Sequence, residues 1–462
     1  MALIKSISGI RGTIGGHPGE ALTPIDTVKF AAAYGTWLKS KKGKKVVLGR
    51  DARISGEMIS NLVSNTLLGL GLDVVDLGLS TTPTVELAVP MEKADGGIIL
   101  TASHNPIQWN ALKLLNDQGE FISAEDGKTI LDLAARESFD FAPVDKLGEF
   151  KAAKNYLKKH IALVRKHPLV DVKAIKKAKF KIAVDAVNST GGIVIPALLE
   201  ELGVKKVKKI YCTPNGEFPH NPEPLPENLK EISKLVVKGK YDLGIVVDPD
   251  VDRLVLIQED GKPFGEEYTL VAVADYILSK KKGNTVSNLS STRALRDVTE
   301  LAGQKYSAAA VGEVNVVSEM KRVKAVIGGE GNGGIIVPDF HYGRDALIGI
   351  GLFLSHLAKS GLTASALRKT YPAYHISKNK IELTGDINVD EVLEQIKDKH
   401  KNEKVNTTDG VKIDFEEQKE WVHLRKSNTE PIIRIYAESQ NEKKADALAE
   451  RMIADIKELI NK

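Results

Sequence analysis

At 462 residues, with 42% hydrophobic and 27% charged side chains, the chain reads as a globular protein too long for one core, and its length predicts about three or four domains. The 65 Lys+Arg against 61 Asp+Glu leave a net charge of only +4; the lysine clusters Lys41-Lys-Gly-Lys-Lys45 and Lys173 to Lys181 lack interleaved aromatics and read as solvated faces, which argues against a nucleic-acid partner. The single cysteine, Cys212, excludes an intrachain disulfide and a cysteine-cluster metal site and fits a reducing compartment.

No basic start followed by a long apolar run is visible at the N-terminus, so no signal peptide is expected. The longest apolar stretch, Ala346 to Ala358, is too short to span a bilayer and contains Ser355 and His356. A cytoplasmic protein without a membrane partner is the expectation.

Strand-like apolar runs alternate with helical patterns through the first three-quarters of the chain, which predicts βαβ units and mostly parallel sheets. Lys45 to Asp51 reads as a short strand ending in a charged loop, Met58 to Leu70 as a helix, and Val74 to Gly78 as the next strand. The apolar run Gly97-Ile-Ile-Leu100 opens into Thr101-Ala-Ser-His-Asn-Pro106. A strand delivering a serine onto a loop at the end of a sheet is a usual place for chemistry in an open α/β fold, and His104 beside Ser103 suits orienting or activating it. A solvated turn capping a helix is the plainer alternative.

The lysine-rich segment Tyr156 to Lys166 is expected to be a helix bridging the first two domains. The pattern restarts at Lys181-Ile-Ala-Val-Asp185, which opens into Asn188-Ser-Thr-Gly-Gly192, and again at Thr285 to Leu289, followed by Ser290-Ser-Thr-Arg293. Three such openings suggest three related α/β domains. From about residue 371 the character changes to strands at Lys378 to Leu383, Lys412 to Phe415, Trp421 to Leu424 and Ile432 to Ala437, with helices at Val389 to His400 and Ala445 to Ile460. That is an α+β layout on a separate sheet. The predicted division is 1–150, 151–257, 258–370 and 371–462.

Between the second pair of restarts, the buried-strand pattern Tyr241 to Val247 opens into Asp248-Pro-Asp-Val-Asp-Arg253. Carboxylates at alternate positions on a proline-stiffened loop can converge on one hard cation, and Arg253 stands beside them to meet an anion; Mg²⁺ fits such oxygen ligands. An acidic surface turn is the alternative. Gly328-Gly-Glu-Gly-Asn-Gly-Gly334 lets backbone approach a ligand, with Glu330 and Asn332 able to bond sugar hydroxyls, but a glycine-rich hairpin would look the same. It has neither a dinucleotide fingerprint nor a P-loop lysine. Finally, Arg425-Lys-Ser-Asn-Thr-Glu-Pro431 joins two strands and, with Arg434, offers a guanidinium fork, hydroxyls, an amide and turn N–H groups: Arg425, Ser427, Asn428 and Thr429 make a donor set for a phosphate dianion.

Taken together, these four motifs resemble the α-D-phosphohexomutase family over essentially the whole chain and in family order. The resemblance implies a four-domain heart-shaped protein, three α/β domains plus a C-terminal phosphate-binding domain, around one deep cleft. It implies interconversion of hexose 6-phosphate and hexose 1-phosphate through a phosphoserine and a hexose 1,6-bisphosphate that serves as intermediate and activator. By that resemblance Ser103 carries the phosphoryl group, and Asp248, Asp250 and Asp252, with Ser103, hold Mg²⁺. Glu330 and Asn332 then read the sugar, and Arg425, Ser427, Asn428, Thr429 and Arg434 hold the distal phosphate. Ser8-Gly-Ile-Arg-Gly12 matches the N-terminal arginine motif, placing Arg11 at the serine, and Lys113 in Asn110-Ala-Leu-Lys113 matches a lysine considered for acid/base work.

Two departures bear on the substrate. Asn332 and Gly334 stand where related bacterial enzymes commonly carry Ser and His, so Lys113 or His341 is expected to cover the acid/base role, and Ser8 stands where many phosphoglucosamine mutases carry Asp. The overall wording points to glucosamine phosphate as the substrate, with glucose or mannose phosphate as the alternative. A metal-dependent glycosyltransferase using the Asp-x-Asp pair is a remoter reading, because it needs neither the Ser103 loop nor the distal phosphate loop. The expected partners are small sugar phosphates.

Overall fold

The computed structural model describes residues 2–6, 9–382, 387–426 and 432–460. Ser8, Ser427, Asn428 and Thr429 therefore lie outside the described residues. The chain forms two compact units, Met1–Thr269 with Asn332–Leu367, and Leu270–Gly331 with Arg368–Lys462.

The first unit holds two sheets. Strands β1 (Leu3–Ser6), β2 (Gly9–Thr13), β3 (Lys45–Arg50), β4 (Asp73–Leu79), β5 (Gly96–Leu100), β6 (Trp109–Leu115) and β7 (Phe150–Ala152) are ordered β1-β2-β6-β5-β3-β4-β7. Strands β3, β4, β5 and β7 run parallel, and β6 pairs antiparallel with β2 on one side and β5 on the other. The short strand Phe150–Ala152 carries this sheet past residue 150.

The alternation of a strand decides which side each residue covers. Val46, Leu48, Ile98 and Leu100 enter one core with Val74 and the helix Pro24–Ser40, while Val47, Val75 and Ile99 enter another with Val85 and Val89 of the helix Thr82–Met91. Both faces are covered, which is why these strands read as unbroken apolar runs. Local chemistry starts the helices: Thr23, just before Pro24, forms a reciprocal capping box with Asp26, and the Thr81 hydroxyl accepts from the N–H of Thr84.

The second sheet orders β8 (Lys181–Asp185), β9 (Lys206–Ile210), β10 (Leu243–Val247) and β11 (Leu254–Gln258) as β11-β10-β8-β9, with β11 antiparallel to its neighbour. The long apolar stretch near residue 350 is the helix Ala346–Ser360, capped by Asp345, whose carboxylate accepts from the N–H groups of Leu347 and Ile348. It is buried on nearly every face, so its uniform hydrophobicity belongs to a core helix. Among the described residues no helix is long and apolar enough to cross a membrane.

The second unit contains the parallel strands Asn284–Asn288, Tyr306–Ala309 and Ala325–Glu330. Its other sheet is antiparallel, ordered His375–Glu382, Ile432–Ser439, Glu420–Lys426, Val411–Phe415, Lys404–Asn406. Helices Val389–Lys399 and Glu442–Ile460 close one face over Ile413, Val422, Leu424, Ile433 and Ile435. This is the α+β layout expected after residue 371. The edge strand Lys404–Asn406, short and polar, has no apolar alternation to announce it.

The strand Ile432–Ser439 of this sheet carries a carboxyl that the sequence does not flag. Glu438 is fully buried, accepting from Trp421 Nε1 at 2.6 Å and from the Arg293 N–H at 2.8 Å. Burial outweighs these donors and pushes its pKa up to about 7. A folded-state value above the unfolded one favours the fold fully below the unfolded carboxyl pKa, and that contribution disappears as pH rises through about 7. The stability of this unit should therefore fall between pH ~4.5 and ~7. Glu438→Gln should flatten that part of the profile by on the order of 2 kcal/mol, as read from denaturant midpoints at several pH values.

Candidate active site

The serine and the aspartates arrive on loops at the carboxyl ends of two strands. Strand β5 ends at Leu100 and delivers Ser103; strand β10 ends at Val247 and delivers Asp248, Asp250 and Asp252. Ser103 is 3% exposed and has φ 48°, a left-handed conformation uncommon for serine. Its Oγ donates to Asp248 Oδ2 at 2.7 Å, while His104 Nδ1 lies 3.3 Å away. The closer partner of the hydroxyl is thus the aspartate loop. Burial, together with the cations Arg253, Arg11 and Arg344, pushes His104 down to about 2, so its ring is neutral.

The three aspartates are completely buried. Asp248 Oδ1 accepts the N–H of Arg253 at 3.1 Å. Asp250 Oδ2 accepts from the Thr82 hydroxyl at 2.5 Å and from Lys113 Nζ at 2.7 Å, and Asp252 Oδ2 accepts from Arg344 Nη2 at 2.7 Å. Burial works against the charge on Asp248 and on Asp250. For Asp248 burial and the two neighbouring carboxylates leave the carboxyl well above the ordinary range. For Asp250 the burial penalty is overcome by Lys113 and Thr82, and the carboxyl is held below its usual value. Lys113 shows the reciprocal effect: burial would discharge it, but Asp250 and Asp252 keep its ammonium above the ordinary lysine value. It is held as a cation and a donor.

Do these residues fit a metal ion? One carboxylate oxygen from each aspartate lies within 4.8 Å of the others. Asp250 Oδ1 and Asp252 Oδ1 are buried with no hydrogen-bond partner among the described residues. Buried, orphaned carboxylate oxygens converging on one point carry a desolvation cost that a hard divalent cation relieves. The donor set fits Mg²⁺.

Arg11 Nη1 donates to Asn105 Oδ1 at 2.8 Å, which brings it to the serine loop. Arg253 follows the aspartates, with Nη1 3.7 Å from Glu223. His341 is held in a separate cluster, its Nε2 3.0 Å from Asp345 Oδ2 and its Nδ1 3.5 Å from Glu86. Asn332 turns back on its own loop, accepting the N–H of Gly334 at 3.1 Å. Two glycines of this loop serve close packing: a Cβ at Gly333 would lie 2.4 Å from the carbonyl oxygen of Leu254, and one at Gly334 would lie 2.3 Å from Arg344 Cδ.

In the second unit, Glu330 Oε1 accepts from Asn288 Nδ2 at 2.9 Å and from the Gly312 N–H at 3.1 Å. Arg425 and Arg434 face each other across neighbouring strands, and Lys380 is opposite Arg434 on the other side. Directly opposed residues share a face of the sheet, so three cations form one row. Asp409 offsets part of it, at 2.8 Å from Arg425 Nε, and Glu382 approaches Lys380 at 3.2 Å. Like charges set opposite one another cost stability unless an anion joins them.

Several of these groups were not singled out in the sequence. Thr82 and Arg344 are two of them, and neither belongs to a recognisable motif; Lys380 emerges only once the strand register is known. Asp51 and Arg53, in the charged loop where the strand from Lys45 ends, had a visible signal in their placement at a strand terminus.

The fit to a cation gives a direct expectation. Mg²⁺ should raise the unfolding temperature of the protein, because it binds the folded aspartate cluster and not the unfolded chain. Asp250→Asn should weaken Mg²⁺ binding by about tenfold or more in calorimetry, at ~1.4 kcal/mol per decade.

The comparisons with known proteins cover the same ground. Family models described as phosphoglucomutase/phosphomannomutase match in four successive parts: alpha/beta/alpha domain I at residues 3–141, domain II at 154–261, domain III at 265–374 and the C-terminal domain at 380–455. A "Phosphoglucomutase/phosphomannomutase" of Thermococcus kodakarensis is 37% identical over 445 residues, 94% of this chain and 95% of that one. A "Probable phosphoglucosamine mutase" of Pyrococcus abyssi is 32% identical over 98% of both chains. The crystal structure of a putative phosphomannomutase from Thermus thermophilus superposes with a TM-score of 0.83 at 26% identity, covering 100% of each. With four domain models matched in order along its length, the chain belongs to the phosphoglucomutase/phosphomannomutase family, as a four-domain phosphohexomutase.

Proposed function

We propose that the protein is a phosphoglucosamine mutase, interconverting glucosamine 6-phosphate and glucosamine 1-phosphate through phosphorylated Ser103 and a hexose 1,6-bisphosphate intermediate. The observation that carries this reading is the Ser103 hydroxyl at the end of β5, 2.7 Å from the buried aspartate loop at the end of β10. Relatives with phosphoglucosamine mutase in their names support this sugar, and the 37% identical phosphoglucomutase/phosphomannomutase supports glucose or mannose phosphate as the second reading. Side-by-side rates with glucosamine 1-phosphate, glucose 1-phosphate and mannose 1-phosphate decide between them.

In this scheme the P–O bond to Ser103 Oγ breaks as a P–O bond to a sugar hydroxyl forms. The proton released by the sugar hydroxyl is balanced by the one taken up at Ser103 Oγ, which then donates to Asp248 Oδ2 as it does in the structure. The doubly phosphorylated sugar turns round, and its other phosphate returns to Ser103. Asp248, Asp250 and Asp252 would hold Mg²⁺, which supplies charge neutralisation to the transferring group when bound. Arg11 and Arg253 add fixed positive charge there, and phosphoryl transfer asks a protein chiefly for positioning and such charge. Lys113, held protonated, contributes as a donor. Neutral His104, beside Ser103 Oγ, orients the hydroxyl.

The residues left for the other phosphate are Arg425 and Arg434, with Ser427, Asn428 and Thr429 from the sequence segment between them. Lys380 extends their row. Such a site reads charge and not one sugar face, which suits an intermediate that must bind either way round. Glu330 and Asn332 are assigned to the sugar hydroxyls. The domain division 1–150, 151–257, 258–370 and 371–462 assigns the serine, the metal, the sugar loop and the phosphate turn to successive domains, in a cytoplasmic enzyme.

Ser103→Ala should abolish turnover, by a factor of at least about 10³, and remove the stable phosphoryl adduct from the intact-protein mass. Substantial turnover in the folded variant with bisphosphate present defeats the assignment. Arg425→Ala should raise KM by one to two decades, matching the loss of about 1.5–3 kcal/mol for a charge-assisted contact, and also lower kcat. A fall in kcat with KM unchanged would place Arg425 at the transferring phosphate instead.

A further inference from the structure

We propose that Arg53 is a positioning residue for phosphoryl transfer: with Asp51 and Thr101 it clamps the backbone of the Ser103 loop so that the hydroxyl is fixed against the aspartate loop. The inference rests on the reading of Ser103 as the phosphoryl carrier.

Arg53 is 1% exposed, and all five of its guanidinium N–H donors are engaged. Its Nε pairs with Asp51 Oδ2 at 3.1 Å. Its Nη2 donates to the carbonyls of Ser103 at 2.7 Å and Asn105 at 2.6 Å, and its Nη1 to those of Pro106 and Trp109, both at 2.8 Å. Four main-chain carbonyls of one loop thus converge on one planar cation, whose other surface meets the ring of Phe218 at 5.1 Å. A guanidinium can do this because its donors are fixed in a fork; a lysine ammonium is a point charge with three donors and cannot span the same set.

The clamp continues beyond the arginine. Asp51 Oδ2 also accepts the Thr101 hydroxyl at 2.6 Å, and Thr101 Oγ1 accepts the N–H of Ser103 at 2.9 Å. Ser103 is therefore gripped at its own N–H and its own carbonyl, on either side of its left-handed φ of 48°. A non-glycine residue persists there when its surroundings over-determine it. The same segment reaches the aspartates: the N–H of Ala52 donates to Ser189 Oγ at 3.3 Å, and Ser189 Oγ donates to the Pro249 carbonyl at 2.7 Å. One short stretch, Asp51 to Arg53, thus ties the serine loop to the metal loop without reaching the reacting atoms.

A residue that positions should alter the chemical step more than the capture of substrate. In Arg53→Lys, the charge beside Asp51 is kept and the four-carbonyl grip is lost. We expect kcat to fall about 100-fold, the scale of a 1 Å misplacement, with KM for the sugar phosphate within about threefold of wild type. Single-turnover transfer from phosphoserine to sugar monophosphate should slow by the same factor. Thr101→Val, which removes only the hydroxyl holding the Ser103 N–H, should lower kcat by about tenfold with KM again unchanged, and it decides the matter if Arg53→Lys does not fold. A folded Arg53→Lys enzyme, or Thr101→Val in its place, with wild-type kcat, or with a raised KM and unaltered kcat, overturns the proposal. Intact mass separates this from the reading beneath it: a wild-type protein that never carries a phosphoryl group on Ser103 overturns both, whereas phosphorylated wild type with an unaffected variant overturns the clamp alone.

Discussion

Three buried carboxylates within a few ångströms are the constraint around which the first unit is arranged. Each gains little from the protein interior and repels the other two, so the cluster persists only because its neighbours answer it. Lys113 answers Asp250, Arg344 answers Asp252, and the serine hydroxyl answers Asp248. These partners come from distant parts of the sequence, and the β strands and helix ends that bring them together are the framework of the site. The oxygens of Asp250 and Asp252 without a hydrogen-bond partner among the described residues are the ones that fit a divalent cation.

The serine loop meets the same problem in reverse. A loop carrying a reactive side chain exposes carbonyls that need donors, and burying them without partners is costly. Arg53 gathers these carbonyls, and Thr82, at the start of the helix Thr82–Met91, donates both its hydroxyl and its N–H to Asp250. Polar satisfaction of the backbone and geometry of the site are therefore one requirement, met by the same few side chains.

Much of this was legible in the sequence because strand termini are loud signals. The apolar runs ending at Leu100 and Val247 announced the loops that carry Ser103 and the three aspartates, and the change of character near residue 371 announced the antiparallel sheet. The helix Tyr156–Lys166 and the strand Lys181–Asp185 lie where the patterns put them. Less was legible where the partner is distant. Thr82 and Arg344 are unremarkable in their own surroundings, and only the packing of separate elements gives them meaning. The glycine-rich loop carries a second meaning that its composition did not separate: whatever it offers a ligand, Gly333 and Gly334 make room for Leu254 and Arg344. His104 stands beside Ser103 in the sequence, yet the hydroxyl turns to Asp248, 145 positions away.

The row Lys380, Arg434 and Arg425 lies on rigid strands, with the opposite face of the sheet packed into a core by Ile381, Ile435 and Leu424. Asp409 and Glu382 offset the charges at its two ends, leaving an excess of one positive charge along the row. That excess projects a positive field into solvent, and a dianionic solute diffusing past feels it before any contact forms. Such a field reaches only about a Debye length, roughly 8 Å at physiological ionic strength. Added salt shortens that reach, so encounter, more than the bound geometry, is where ionic strength makes itself felt.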